Sequence, residues 1–211
     1  MDLSCPTLII NFFGGPSVGK STLCAHTFAE LKWRGTNCEM ALEFAKDKVW
    51  ENSLDVLENQ LYIFGKQHHR LHRLLGKVDI ILTDSPLPLS LIYGKQMPQA
   101  FRDLVLREFR EMNNLNIFLV REKPFNPAGR VQNEEKAKQL DDDIRHMLKE
   151  NNINAVYALG NREVVKDVVR FIEMSYAGLR KRRDRPFPFP EESLATSDQS
   201  GYSFQEVLGG R

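Results

Sequence analysis

The sequence predicts an α/β fold, in which a five-stranded parallel sheet is covered by helices on both faces. Short apolar runs alternate with longer segments of helical period, and a glycine-rich loop joins the first run to the first such segment. Strands separated by helices form βαβ units, whose strands are parallel. With 211 residues, 42% of them hydrophobic and 27% charged, the chain can bury a core of its own.

The predicted strands are short apolar segments, and most of them are followed by a glycine, a proline or a polar turn. They occupy residues 8–13, 37–42, 78–83, 115–120 and 154–159. The predicted helices are longer segments with apolar residues three and four apart. They occupy residues 20–34, 53–75, 98–112, 134–150 and 163–179. These elements make one folded domain of residues 1–179. A run of basic residues and alternating prolines follows, which indicates a C-terminal tail at 180–211.

The net charge of the chain excludes one class of protein. Lys and Arg number 29 and Asp and Glu number 28, so the net charge is +1, which excludes a strongly basic nucleic-acid coat protein. Local basic segments at 66–77 and 180–185 still offer a surface for an anionic partner.

The 3 cysteines match neither a disulfide framework nor a zinc site. No segment reaches the roughly 20 apolar residues of a membrane span, so we expect a cytoplasmic protein without a membrane partner.

The glycine-rich loop matches the complete phosphate-binding pattern G-x-x-x-x-G-K-[ST]. Its members are Gly14, Gly15, Pro16, Ser17, Val18, Gly19, Lys20, Ser21 and Thr22. In such a loop the backbone amides and the start of the following helix face the phosphates of a nucleotide. Lys20 is predicted to reach the β- and γ-phosphates of ATP, and the Ser21 hydroxyl to bind Mg²⁺. The alternative is a glycine-rich turn without a ligand.

Asp84 directly follows the apolar strand 78–83. An acidic residue at the carboxyl end of such a strand is typical of the element that holds Mg²⁺ opposite a phosphate loop, directly or through water. Asp84 is therefore the second predicted metal ligand, beside Ser21. The alternative is an ordinary aspartate that caps the turn before Ser85 and Pro86.

The acceptor of a phosphoryl group needs its own residues. The N-K-x-D and D-x-x-G motifs of guanine-specific GTPases are absent from the sequence, and oligomeric AAA motors are usually larger, which leaves kinases of small substrates. Glu43 follows the second strand and is predicted to accept or orient the proton of an attacking hydroxyl, with Asp47 as a weaker candidate. The alternative is a surface carboxylate.

Three further segments carry candidate residues. Residues 121–133 are predicted as a hinged lid, in which Arg121 would bind ATP and Arg130 would stabilise the charge of the transferred phosphoryl group. Gln67 and Arg70 lie in the basic helix 53–75 and are predicted to contact an anionic substrate. Solvated surface residues are the alternative in both places.

Four stretches of the sequence resemble a family of bacteriophage-encoded P-loop kinases, described as AAA-type or nicotinamide-riboside-kinase-like ATPases. They are FFGGPSVGKST, EMALEFAKDKVWE, NQLYIFGKQHHRLHRLLGKVDIILTDSPLPLSLIYG and the PAGR segment. Within that family the sequence is similar to the 5-hydroxymethyluracil DNA kinases, which are grouped with thymidylate kinases. The resemblance covers residues 7–172. It implies a P-loop kinase fold and the roles already given to Lys20, Ser21, Glu43, Asp84 and Arg130.

These observations lead to one prediction of function, with alternatives. We expect a phosphotransferase that uses ATP and Mg²⁺ and acts on a hydroxyl acceptor. The resemblance implies 5-hydroxymethyl-deoxyuridine in DNA as that acceptor and the cytoplasm of a phage-infected host as its location. A free nucleotide or nucleoside, including nicotinamide riboside, is the alternative acceptor. A non-catalytic ATP-dependent switch is the alternative of another class.

Overall fold

A computed structural model describes residues 6–122 and 134–181 of the chain. In these ranges five parallel strands form a single sheet in the order β2-β3-β1-β4-β5. The strands are β1 (Leu8–Phe13), β2 (Cys38–Met40), β3 (Ile80–Thr83), β4 (Asn113–Val120) and β5 (Val156–Leu159). Each predicted strand is present, and β1 has the predicted bounds. The predicted α/β fold with a parallel sheet is therefore confirmed.

Seven α-helices connect and cover the strands in the described residues. They are α1 (Lys20–Trp33), α2 (Phe44–Trp50), α3 (Gln60–His72), α4 (Ser90–Tyr93), α5 (Gln99–Arg110), α6 (Glu134–Glu150) and α7 (Val165–Lys181). Two 3₁₀ turns, Leu54–Glu58 and Leu87–Leu89, lie between them. The five long predicted helices are present, four of them with ends within two residues of the predicted bounds, whereas α2, α4 and the turn at 87–89 were not predicted.

The helix predicted at 53–75 is wrong at its beginning, because the chain forms a separate 3₁₀ turn there. Asn59 separates this turn from α3, and its side-chain oxygen accepts a hydrogen bond from the amide of Tyr62 at 3.1 Å. An asparagine in this capping position ends the preceding turn and begins a new helix. At the other end of the domain, α7 continues to Lys181, so residues 180 and 181 belong to a helix and not to a tail. Residues 182–211 lie outside the described ranges.

Two apolar cores lie on opposite faces of the sheet. Alternate side chains of β1 enter each of them, because successive residues of a strand point to opposite faces. Ile10 and Phe12 pack in the core that α1 and α7 cover. Ile9 and Phe13 pack in the core that α3, α5 and α6 cover. All four of these side chains are completely buried, so β1 is the centre of the domain and fixes the position of the loop that follows it.

The described cysteines, Cys24 and Cys38, are buried and free. Burial raises the pKa of Cys24 well above its usual value, and the negative charge of Asp84 contributes to the same shift. Burial likewise raises the pKa of Cys38 to about 11. Both thiols therefore stay protonated at neutral pH. None of the helices in the described ranges is both long and apolar enough to cross a membrane.

Candidate functional site

The predicted phosphate loop connects β1 to α1 at the centre of the sheet. Gly19 caps the beginning of α1 with a φ of 106°, in the left-handed region that favours glycine. Ser17 also has a positive φ, 62°. Alternation of left-handed and right-handed conformations makes successive amides converge on one concave surface, as an anion-binding loop requires. The loop thus has the backbone geometry that its sequence predicts.

Lys20 lies across this loop. Its Nζ donates hydrogen bonds to the carbonyl oxygens of Gly14 at 2.8 Å and Gly15 at 3.0 Å. The ammonium group is therefore held against the backbone of the loop by these two carbonyl oxygens. Ser21 is the next residue of α1 and is partly exposed in its first turn. Both residues are in positions suited to their predicted roles, which stay predictions.

Asp84 lies at the carboxyl end of β3, the strand next to β1, and therefore at the same edge of the sheet as the phosphate loop. Its side chain is buried, with 2% of the residue exposed. The Oδ1 atom accepts a hydrogen bond from the backbone N–H of Glu43 at 2.9 Å. The structure thus brings together two residues that are 41 positions apart in the sequence, the predicted metal ligand and the predicted acceptor residue.

Gln67 holds the loop that carries Glu43. Its Oε1 accepts from the amide of Phe44 at 3.0 Å, and its Nε2 is 3.4 Å from the carbonyl oxygen of Ala41. The hydroxyl of Thr83 donates to the same carbonyl at 2.7 Å. Gln67 is 4% exposed. Its side-chain amide therefore hydrogen-bonds the backbone before Glu43, at Ala41, and after it, at Phe44. The predicted contact of Gln67 with substrate stays a prediction.

Arg70 packs beside α2. It donates to the carbonyl oxygen of Leu42 at 2.8 Å and forms an ion pair of 2.5 Å with Asp47. Its guanidinium carbon lies 5.3 Å from the centre of the Phe44 ring. Asp47, the weaker acceptor candidate, is thus paired with a cation, while its neighbour Glu43 is bonded through its backbone to Asp84. This arrangement favours Glu43 for the chemical role.

Arg121 directly follows β4 and lies against the phosphate loop. Its Nε donates to Asp141 Oδ2 at 2.9 Å, and one of its Nη2 hydrogens bonds to the carbonyl oxygen of Pro16 at 2.9 Å. The other oxygen of Asp141 accepts the amide N–H of Gly15 at 2.5 Å. Both side chains are largely buried, with 12% of Arg121 and 7% of Asp141 exposed. The arginine predicted to bind ATP therefore holds the phosphate loop, and direct contact with ATP stays a prediction.

A family model described as an AAA domain matches residues 9–163. The chain belongs to this AAA-domain family. The match includes the phosphate loop, Glu43, Asp84, Arg121 and Asp141, so the whole site lies in the family domain. No curated protein matches the sequence at a significant level. The fold and the family together identify a P-loop NTPase domain, a nucleotide-binding ATPase or kinase-like domain for which ATP is the expected nucleotide.

The predicted metal ligands of this P-loop domain, Ser21 and Asp84, offer oxygen atoms that suit Mg²⁺. A hydroxyl at Ser21 and a carboxylate at Asp84 are the hard oxygen ligands that Mg²⁺ prefers, and this ion usually takes its other ligands from phosphates and water. In residues 6–122 and 134–181, no three His, Cys, Asp or Glu side chains come close enough to hold a metal by themselves.

One predicted feature of the P-loop domain stays untested, and one residue of the site was missed. Arg130 and residues 123–133 of the predicted lid lie outside the described residues. Asp141 was not predicted at all, because it precedes Asp142 and Asp143 in a charged segment that looks solvated. It nevertheless lies on the buried face of α6, which also contains Ala137 and Ile144. Spacings of four and three along one helix face are the signal that would have found it.

Proposed function

We propose that the protein is an ATP-dependent phosphotransferase that acts on a hydroxyl group. The hydrogen bond between the Glu43 amide and Asp84 is the observation that carries this proposal. A pure ATPase needs only the phosphate loop, a metal ligand and a positioned water. Here the backbone that carries a second carboxylate, Glu43, is anchored beside the predicted metal ligand, on the loop after β2. We infer that this carboxylate meets an acceptor hydroxyl as it approaches the γ-phosphate from the side opposite ADP.

The reaction follows from these positions. Lys20 and the amides of the phosphate loop neutralise the phosphates, and Ser21 and Asp84 would hold Mg²⁺. When bound, the metal would supply charge stabilisation for the transferred group and the leaving phosphate. Glu43 orients the acceptor hydroxyl and takes its proton as the new oxygen–phosphorus bond forms. The bond between the γ-phosphorus and the bridging oxygen breaks, and its electron pair leaves with ADP.

We propose a hydroxymethylated pyrimidine in DNA as the acceptor. The surface formed by α2 and α3 next to Glu43 supports this, since it combines exposed aromatic rings with cations. Trp50 is 65% exposed and Tyr62 is 41% exposed. Lys66 lies 5.4 Å from the centre of the Tyr62 ring, and Lys48 lies 5.3 Å from that of Phe44. Aromatic rings that stack on bases, with cations that meet phosphates, are the features of single-stranded nucleic-acid sites.

A transfer assay tests both parts of the proposal. The protein is incubated with γ-labelled ATP, Mg²⁺ and one of five acceptors: DNA with 5-hydroxymethyluracil, the same DNA with thymine, thymidine, dTMP or nicotinamide riboside. We expect label only in the hydroxymethyluracil DNA, and none after EDTA is added. The thymine DNA is the matched control, because it lacks only the hydroxyl. Label in a free nucleoside or nucleotide alone would refute the DNA acceptor, and label in inorganic phosphate alone would refute transfer.

A further inference from the structure

We propose that Asp141 and Arg121 are positioning residues for the nucleotide, which act through the phosphate loop. Asp141 fixes the Gly15 amide, and Arg121 fixes the Pro16 carbonyl and cancels the charge of Asp141. The loop is thereby held in its binding conformation without an uncompensated negative charge beside the phosphates. The proposal rests on nucleotide binding by the P-loop domain and does not depend on which acceptor the protein uses.

The packing of α6 on the loop supports this role. A side chain at Gly15 would have its Cβ only 2.6 Å from the carbonyl oxygen of Ala137 and 2.7 Å from Asp141 Oδ1. These distances are shorter than real Cβ contacts, so only glycine allows α6 to approach the loop this closely. Asp141 itself is 5% exposed. The carboxylate is therefore built into the wall behind the phosphate loop and is not a solvated charge of a surface helix.

The two peptide units held by this pair overlap with those that hold the catalytic lysine. Lys20 Nζ bonds to the carbonyl oxygens of Gly14 and Gly15, while the amide of Gly15 bonds to Asp141. A shift of Gly15 would thus move a carbonyl oxygen to which Lys20 bonds, as well as the amides of the loop. This gives the buried ion pair a path to Lys20 that consists of two hydrogen bonds and one peptide unit.

The charge of the pair is the second part of the proposal. A buried carboxylate without a cation is strongly unfavourable, and it also repels other anions more strongly than it does in water. In R121Q the Asp141 carboxylate would lose its cation and would lie next to a bound triphosphate. In D141N the Asn oxygen can still accept the Gly15 amide, and no negative charge remains. The two single variants should therefore differ in ATP affinity.

A double-mutant cycle with four proteins measures this difference: the wild type, R121Q, D141N and R121Q/D141N. Calorimetric titration with ATP and Mg²⁺ gives the dissociation constants, and urea unfolding gives the stability of each protein. We expect R121Q to weaken ATP binding at least about tenfold, a size typical of a coupling between sites. D141N should weaken it less than about threefold, and the double variant should recover most of the loss. The loss in R121Q should also shrink as salt rises.

Lys95 provides the control. It forms an exposed ion pair of 2.7 Å with Asp143, which lies on α6, the helix that also carries Asp141. K95Q should leave ATP affinity unchanged. If R121Q does not fold, R121K keeps the charge and loses the two-pronged geometry, and it should bind ATP within about threefold of the wild type. Unchanged ATP affinity in R121Q, with stability alone lowered, would refute the proposal. A loss in R121Q that D141N does not relieve would refute the role of charge.

Discussion

The variant K20A should lose phosphoryl transfer and bind ATP at least about a hundredfold more weakly. Lys20 supplies a positive side chain that bonds directly to two carbonyl oxygens of the phosphate loop. Losing a charge-assisted contact of this kind typically costs a factor of about 10² to 10³ in rate. Calorimetric titration with ATP and Mg²⁺ measures the binding, and the γ-label assay measures the transfer.

Lys32 lies on the same helix and is the matched control for this variant. It forms an exposed ion pair with Glu39 at 3.2 Å, far from the loop along α1. K32A should bind and turn over ATP like the wild type. Wild-type ATP binding and turnover in K20A would overturn the assignment of the phosphate loop as the nucleotide site, and with it the proposed reaction.

The variant E43A should lose transfer by a factor of about 10² to 10⁴, the usual contribution of a positioned general base. It should bind ATP within about threefold of the wild type, since the Glu43 contact with Asp84 uses the backbone amide, which alanine retains. A selective loss of the chemical step, with binding intact, is expected only if the carboxylate meets the acceptor. Single-turnover transfer and calorimetric titration separate the two quantities.

Glu111 is the control for E43A, because it follows α5 and forms an exposed ion pair of 3.1 Å with Arg107, away from the proposed acceptor surface. E111A should transfer at the wild-type rate. The alternative of a non-catalytic switch makes a different prediction: E43A would behave as the wild type in every assay, while K20A would still fail. Equal transfer by E43A and the wild type would therefore contradict the proposed acceptor role.

Secondary structure could be predicted where a single segment was long enough to show a clear pattern of apolar residues. The run of apolar residues in β1 and the period of α6 are long enough to define both elements from the sequence. The helices α2 and α4 have seven and four residues, too few for a helical period to be recognised. Pro86 and Pro88 indicate a loop, and the short turn there is stabilised by burial of Leu87 and Leu89. Such elements depend on tertiary packing.

In the candidate site, too, some residues could be predicted from the sequence and others could not. The phosphate loop and Asp84 were predicted because they are contiguous patterns next to strands. The backbone bond between Glu43 and Asp84 joins two segments whose proximity follows from the order of β2 and β3 in the sheet. Gln67 was assigned to a basic helix surface, yet its burial depends on which face of α3 meets the sheet. Contacts between distant elements therefore required the structure.

The proposed reaction requires that the phosphate loop, Ser21 and Asp84 bind ATP and Mg²⁺ beside Glu43. A crystal structure of the wild-type protein with Mg²⁺ and a non-hydrolysable ATP analogue tests it most directly. We predict phosphates against the amides of residues 14–22 and Mg²⁺ at about 2.1 Å from Ser21 Oγ. Asp84 should hold the metal directly or through one water, and Glu43 should face the γ-phosphate. A nucleotide bound elsewhere, or a metal without contact to Ser21 and Asp84, would contradict the account.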